Sequence, residues 1–100
     1  MKYHGFEVPK DQNADFCRRH GIRKLALFGS VLREDFGVDS DIDVLIEFQP
    51  YVRVGLRFFA MERELSALLG RKMDLNTPGF LSKYFRDKIL AEAEVQYDSA

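Results

Sequence analysis

Apolar positions along this chain fall into blocks whose spacing changes character from one block to the next. Leu25, Ala26, Leu27 and Phe28 run without a polar break, which predicts an inner strand over Ile22–Phe28 that is covered on both faces. Asp41–Phe48 instead alternates: Ile42, Val44, Ile46 and Phe48 share one face, and Asp41, Asp43 and Leu45 the other, the period of a strand. Gly29-Ser30 ends the first strand, and Ser30 is a favoured N-cap for a short helix from Val31 to about Asp35. Glu34–Ser40 is polar, holds Gly37 and reads as a loop. Pro50 closes the second strand.

Further on, Val54, Phe58, Met61, Leu65 and Leu68 recur at steps of four and three. This is the stripe of a long amphipathic helix, with Arg57, Glu62, Arg63 and Glu64 around its other side and Gly70 as its stop. Lys72–Asn76 is short and β-like, and Pro78-Gly79 breaks the chain. Leu81, Phe85 and Ile89 predict a last helix to about Ala93, followed by an extended segment holding Val95 and Tyr97. Upstream, Pro9 suits a first helical turn and Gly21 a C-terminal stop, so Lys10–His20 is expected to be the first helix. His20 in its last turn suits the helix C-terminus electrostatically. Cys17 lies among its apolar positions and reads as buried filler. Phe6-Glu7-Val8 is either a short edge strand or a loose lead-in.

The pattern carries no repeats and no linker, and implies one α+β domain over residues 1–100, able to bury roughly 60–70% of its unfolded surface. Apolar content of 46% with 13 aromatic residues supports a folded globule. A net charge of −1 excludes a strongly basic nucleic-acid binder. No apolar run reaches the roughly 18–20 residues that cross a membrane, and no signal-peptide pattern opens the chain. One cysteine and two histidines make neither a disulfide nor a zinc set. A cytoplasmic protein is expected.

Candidate chemistry gathers in the middle of the chain. A glycine between a strand and a helix lets a ligand approach the backbone, and the amides that open a helix favour anions. Arg33, about one turn beyond Gly29-Ser30, can add a planar charged fork to the same anion. Asp41 and Asp43, two apart on a strand, project from one face and repel each other unless a cation or proton lies between them. Hard oxygen donors of this type suit Mg²⁺ with substrate phosphates. Asp39-Ser40-Asp41-Ile42-Asp43 imitates the start of a calcium loop, but Val44 replaces its glycine and Pro50 its closing acid, so calcium is rejected. Asp74 in the later short strand supplies a third carboxylate. It could complete a two-ion site or deprotonate an attacking hydroxyl.

Gly29-Ser30, ten residues, then Asp41-Ile42-Asp43 resembles the signature of the DNA polymerase beta-type nucleotidyltransferases. The chain is most similar to their smallest members, the minimal nucleotidyltransferase (MNT) antitoxins, from Ile22 to about Tyr97. The resemblance implies a polymerase beta-like fold, a small mixed β-sheet packed with about four helices. It implies that Gly29, Ser30 and Arg33 bind the nucleotide, that Asp41, Asp43 and Asp74 are catalytic and hold Mg²⁺, and that ATP is the substrate. Leu32 and Glu34 depart from the pattern, where a small residue and a glycine are common.

The chain has no room for a second, acceptor-presenting domain, so another polypeptide is expected to bring the acceptor. Proteins of the MNT group act as antitoxins beside a HEPN-type RNase toxin. The resemblance therefore implies transfer of AMP from ATP to a tyrosine of such a toxin, with release of pyrophosphate. The alternative is a non-catalytic antitoxin or nucleotide-binding module that neutralises its partner by contact. Transfer to nucleic acid is disfavoured by the acidic balance and the lack of a basic stripe. Tyr51, Phe80 and Tyr84 are expected mainly in the core, with a docking patch as the lesser reading.

Overall fold

The structure is a computed structural model that describes residues 2–3, 6–34, 36–37 and 39–99. Its centre is a four-stranded mixed sheet in the order Met73–Asn76 (β5), Ile42–Phe48 (β4), Ile22–Phe28 (β3) and Glu94–Asp98 (β6). Strand β3 (Ile22–Phe28) pairs antiparallel with β4 (Ile42–Phe48) on one side and with β6 (Glu94–Asp98) on the other. The edge strand β5 (Met73–Asn76) runs parallel to β4. Phe6–Glu7 (β2) pairs outside this sheet, in a two-stranded ribbon with Lys2–Tyr3 (β1).

The side-chain alternation of β4 divides the molecule into layers. Ile42, Val44 and Ile46 are fully buried and join Leu25 and Leu27 of β3 in the main core. Helices α1 (Lys10–Arg19) and α2 (Arg57–Leu69) close that face with Phe16, Cys17, Phe58, Met61 and Leu65. Ala26 and Phe28 of β3 and Leu45 of β4 point the other way. There they meet α3 (Lys83–Glu92) and the start of β6. The continuous apolar run of β3 is thus covered on both faces, as expected of an inner strand.

Cys17 is the buried filler that its place in the pattern predicts. Burial pushes its thiol up to about 12, against a smaller opposing pull from Arg18. At pH 8 the native protein is expected to react with a thiol reagent at least about tenfold more slowly than the protein in denaturant, because the thiolate is the reactive form. Equal rates in the two conditions would place Cys17 at the surface.

Several expectations are corrected. Among the described residues three α-helices form rather than about four, together with two short 3-10 turns, Gly29–Leu32 and Pro78–Phe80. The helix expected from Val31 to about Asp35 is the first of these turns; Asp35 lies outside the described residues. Phe28 before the turn and Arg33 after it are both extended, so only four residues wind. Ser30 lies inside the turn and caps nothing with its side chain. Helix α2 begins at Arg57, three residues later than Val54, because Gly55 takes a left-handed φ of 55° that a helix interior does not accommodate. Val54 still packs against the core. Gly70 ends the helix in the left-handed conformation, its N–H donating to the Ser66 carbonyl at 2.9 Å.

The last helix shows the largest departure. The spacing of its apolar residues predicts the helix, yet no residue of α3 is buried; Tyr84, expected mainly in the core, is 83% exposed and Phe85 61%. Tyr51 and Phe80 are also mostly open to solvent. Core packing is therefore wrong for Tyr51, Phe80 and Tyr84. Two helices already fill the other face, and on its own face α3 finds only the small patch of Ala26, Phe28 and Leu45 between polar strand residues.

Candidate active site

The acids meet because of strand register. Asp43 is the partner of Asp74 across the parallel β4–β5 pair and of Phe28 across the antiparallel β3–β4 pair. Directly opposed residues share a face, so Asp43, Asp74 and Phe28 all point to the layer of α3. Asp41 lies two residues earlier on the same face, about 7 Å back along the chain. Asp43 is half-buried, whereas Asp41 and Asp74 are exposed.

The Asp43 carboxyl is pushed up from 3.8 to about 6. Burial is the main cause, followed by the charge of Asp74 and a side-chain hydrogen bond with it, then by Asp41; Arg33 opposes these. Two carboxylates share a hydrogen bond only when a proton lies between them. The arrangement therefore collects negative charge that a proton or a cation must neutralise. Among the described residues no three acidic, histidine or cysteine side chains stand converged as a closed cage. Asp41 is instead drawn to Lys72, whose Nζ lies 3.6 Å from its Oδ2. The donor set still fits Mg²⁺, which takes one or two carboxylates and fills its remaining positions with water and phosphate.

Gly29 is required where it stands. Its φ is 76°, and a Cβ built on it would collide with Asp43 Oδ2 and lie 3.2 Å from the Asp43 carboxyl carbon. The strand-ending turn is thus pressed against the central carboxylate, and only a residue without a side chain allows that approach. Ser30 is half-exposed in the same turn, and Arg33 follows it, its N–H donating to the Ser30 carbonyl at 2.9 Å. All six residues expected from the sequence, Gly29, Ser30, Arg33, Asp41, Asp43 and Asp74, fall at the same end of the sheet.

Sequence reasoning did not find the residues that hold them there. Arg71 donates to the carbonyls of Gly37 and Ser40, both at 3.0 Å, and its guanidinium lies 4.8 Å from the Phe36 ring centroid. It therefore fastens the loop that delivers Asp41. Glu62 and Ser66, one turn apart on α2, accept the outward N–H groups of Leu75 and Met73, both at 2.9 Å. This satisfies the free edge of β5 on either side of Asp74 and fixes the direction in which it points. Glu62, read as part of the polar side of its helix, is in fact a strand clamp. The only signal in the sequence was the spacing of Glu62 and Ser66, which is too common to be read alone.

Beside the Gly29–Leu32 turn lies a groove of about 250 Å³, with Phe28, Gly29 and Arg33 on one wall and Phe85, Lys88 and Ile89 of α3 on the other. No helix among the described residues is long and apolar enough to cross a membrane.

Comparison with known proteins agrees with this geometry. A family described as nucleotidyltransferase domain matches residues 10–95. Protein adenylyltransferase MntA of Thermococcus cleftensis is 35% identical over 74 residues, which are 74% of this chain and 74% of that protein. A solved structure described as a minimal nucleotidyltransferase superposes with a TM-score of 0.70 at 31% identity, covering 84% of this chain and 85% of its own. A toxin–antitoxin complex with AMP-PNP matches with a TM-score of 0.73 at 15% identity, covering 92% and 75%. A tri-AMPylated Shewanella oneidensis HEPN toxin in complex with its MNT antitoxin matches with a TM-score of 0.64 at 15% identity, covering 90% and 70%. At these last identities the likeness is one of fold.

Proposed function

Because the chain belongs to the nucleotidyltransferase domain family, we propose that it is a Mg²⁺-dependent protein adenylyltransferase that acts as the antitoxin of a HEPN-type toxin. It transfers AMP from ATP to a tyrosine hydroxyl of that partner. The observation that carries this reading is the meeting of Asp43 with Asp74 directly beside Gly29. The adenylyltransferase relative and the AMPylated HEPN complex of the same fold support the choice of donor and partner.

The roles follow from position. Gly29 and Ser30 let the triphosphate lie against the backbone, and Arg33 adds a fixed positive fork to it. Asp41, Asp43 and Asp74 would hold Mg²⁺, which when bound supplies neutralisation of the phosphate charge and of the crowded carboxylates. Asp74, the most peripheral of the three on edge strand β5, faces the open side from which a protein hydroxyl can approach. It takes the proton as the hydroxyl oxygen bonds to the α-phosphorus. The bond from the α-phosphorus to the bridging oxygen breaks, and pyrophosphate leaves with the electron pair.

The test incubates ATP labelled on its α-phosphate, Mg²⁺ and the HEPN protein encoded with this chain, beside an Asp41→Ala/Asp43→Ala variant. Label is expected on the HEPN protein with the wild type and to fall below about 1% of that level with the variant. Equal silencing of the partner by both versions, without label, would instead identify a contact antitoxin.

A further inference from the structure

The groove beside the catalytic turn has a direction. The sheet order puts β5, with Asp74, on one side of Asp43, and β3, which leads into Gly29, on the other. Displacement at phosphorus is in line: the attacking and leaving oxygens lie on opposite sides of the phosphorus. With the acceptor hydroxyl at Asp74, the bond that breaks points across Asp43 toward Gly29. That is where the groove opens.

Its walls suit what would arrive there. Arg33 stands on the wall of the catalytic turn and Lys88 on the facing wall of α3, with Phe28, Phe85 and Ile89 as the apolar part of the lining. Lys88 is exposed, and no acidic side chain among the described residues stands within 4.0 Å of its ammonium. The groove's one acid, Glu92, lies a turn beyond Lys88 on α3. Its volume of about 250 Å³ holds a small polyanion but little more.

We propose that Lys88 of α3, across the groove from the triphosphate-binding turn, is a further phosphate-binding residue that clamps the β- and γ-phosphates of the donor nucleotide opposite Arg33. The inference rests on the transferase reading above. It assigns α3 a task that accounts for a helix placed on the sheet with no buried residue: it carries a cation to the leaving group. As the α-phosphorus–oxygen bond breaks, the extra negative charge on the departing pyrophosphate falls between Arg33 and Lys88. Lysine serves as a point charge here, with three donors that can follow the phosphates as they move.

The experiment measures binding of ATP, AMP and inorganic pyrophosphate, each with Mg²⁺, by titration calorimetry on the wild type, Lys88→Ala and Lys88→Arg. Lys88→Ala is expected to weaken ATP and pyrophosphate by about 10–100-fold while AMP changes less than about twofold. Lys88→Arg should recover most of the loss. Equal weakening of AMP and ATP would show that Lys88 touches the nucleoside or supports the fold, and would overturn the assignment. No weakening of either would overturn it as well. Pyrophosphate reads the Lys88 contact without any transfer. A wild type that binds pyrophosphate through Lys88, yet moves no label from ATP, would therefore refute the transferase reading and leave that contact standing.

Discussion

Replacing Asp43 with asparagine is expected to make the metal-free protein more stable at pH 7.5 while removing its activity. Asp43 carries its proton up to about pH 6 in the folded state, against 3.8 ordinarily. Between about pH 4 and 6 the native protein therefore binds more protons than the unfolded chain, and stability must fall as pH rises through that window. Above it the folded protein holds an ionised carboxylate that burial and the neighbouring acids disfavour. Asparagine keeps the shape and removes the charge. In a chelator at pH 7.5, Asp43→Asn is expected to raise Tm by roughly 4–8 °C, the shift produced by about 1 kcal/mol in a domain of this size. Solvent screening of this half-open group keeps the gain to that order. The decline of wild-type stability between pH 4 and 6 should flatten in the variant. Adding Mg²⁺ should reverse the ranking, because only the wild type gains by binding. Transfer should drop at least about 100-fold, more than the loss typical of groups one shell further out. A variant less stable than wild type in chelator would mean that Asp43 is not under electrostatic strain.

Gly29→Ala is expected to cost at least about 100-fold in transfer rate, for a reason unrelated to charge. Two penalties coincide there. The φ of 76° is unfavourable to alanine by about 1–2 kcal/mol. In addition, the new Cβ would collide with Asp43 Oδ2 and press on its carboxyl carbon at 3.2 Å. The carboxylate has to turn away, and turning is cheap for a side-chain tip, so the protein should still fold. The damage falls on the chemistry, since Asp43 then no longer faces Asp74. Gly70→Ala is the control: φ there is 71°, but nothing lies within 4 Å of the added carbon. Both variants should lose comparable stability in thermal melts, and only Gly29→Ala should lose transfer. Equal activity in the two variants would show that the close approach of Gly29 to Asp43 is dispensable.

The candidate site was legible before the fold because its residues break local rules. Two aspartates beside an apolar alternation, and a glycine-serine pair closing an apolar run, point together to a ligand site. Period-2 spacing alone places Asp41 and Asp43 on one face. Strand β4 was legible for the same reason, since side-chain alternation is a local property of the backbone, and β3 from its unbroken apolar run. So was the end of α2 at Gly70, where chain conformation and residue type agree.

What was not legible depends on partners distant in the chain. Pairing of Asp43 with Asp74 requires β5 to lie parallel to β4 in one particular register, which no spacing between residues 43 and 74 specifies. Glu62 reads as an ordinary helix charge, and Arg71 gives no signal, until the edge of β5 and the loop at Ser40 come beside them. The exposed side of α3 has the helical periodicity of a core helix, yet the opposite face of the sheet was already filled by α1 and α2. Likewise no basic stripe runs along the chain, but the fold brings Arg18 and Arg19 from α1 together with Arg53 and Arg57 in one open groove beside Tyr51. Local periodicity dictated the elements, and residue chemistry marked which of them carry the candidate site. Register and docking settled which acids meet and which helix lies beside Gly29. These are contacts between segments whose separation along the chain carries no information about their distance in space.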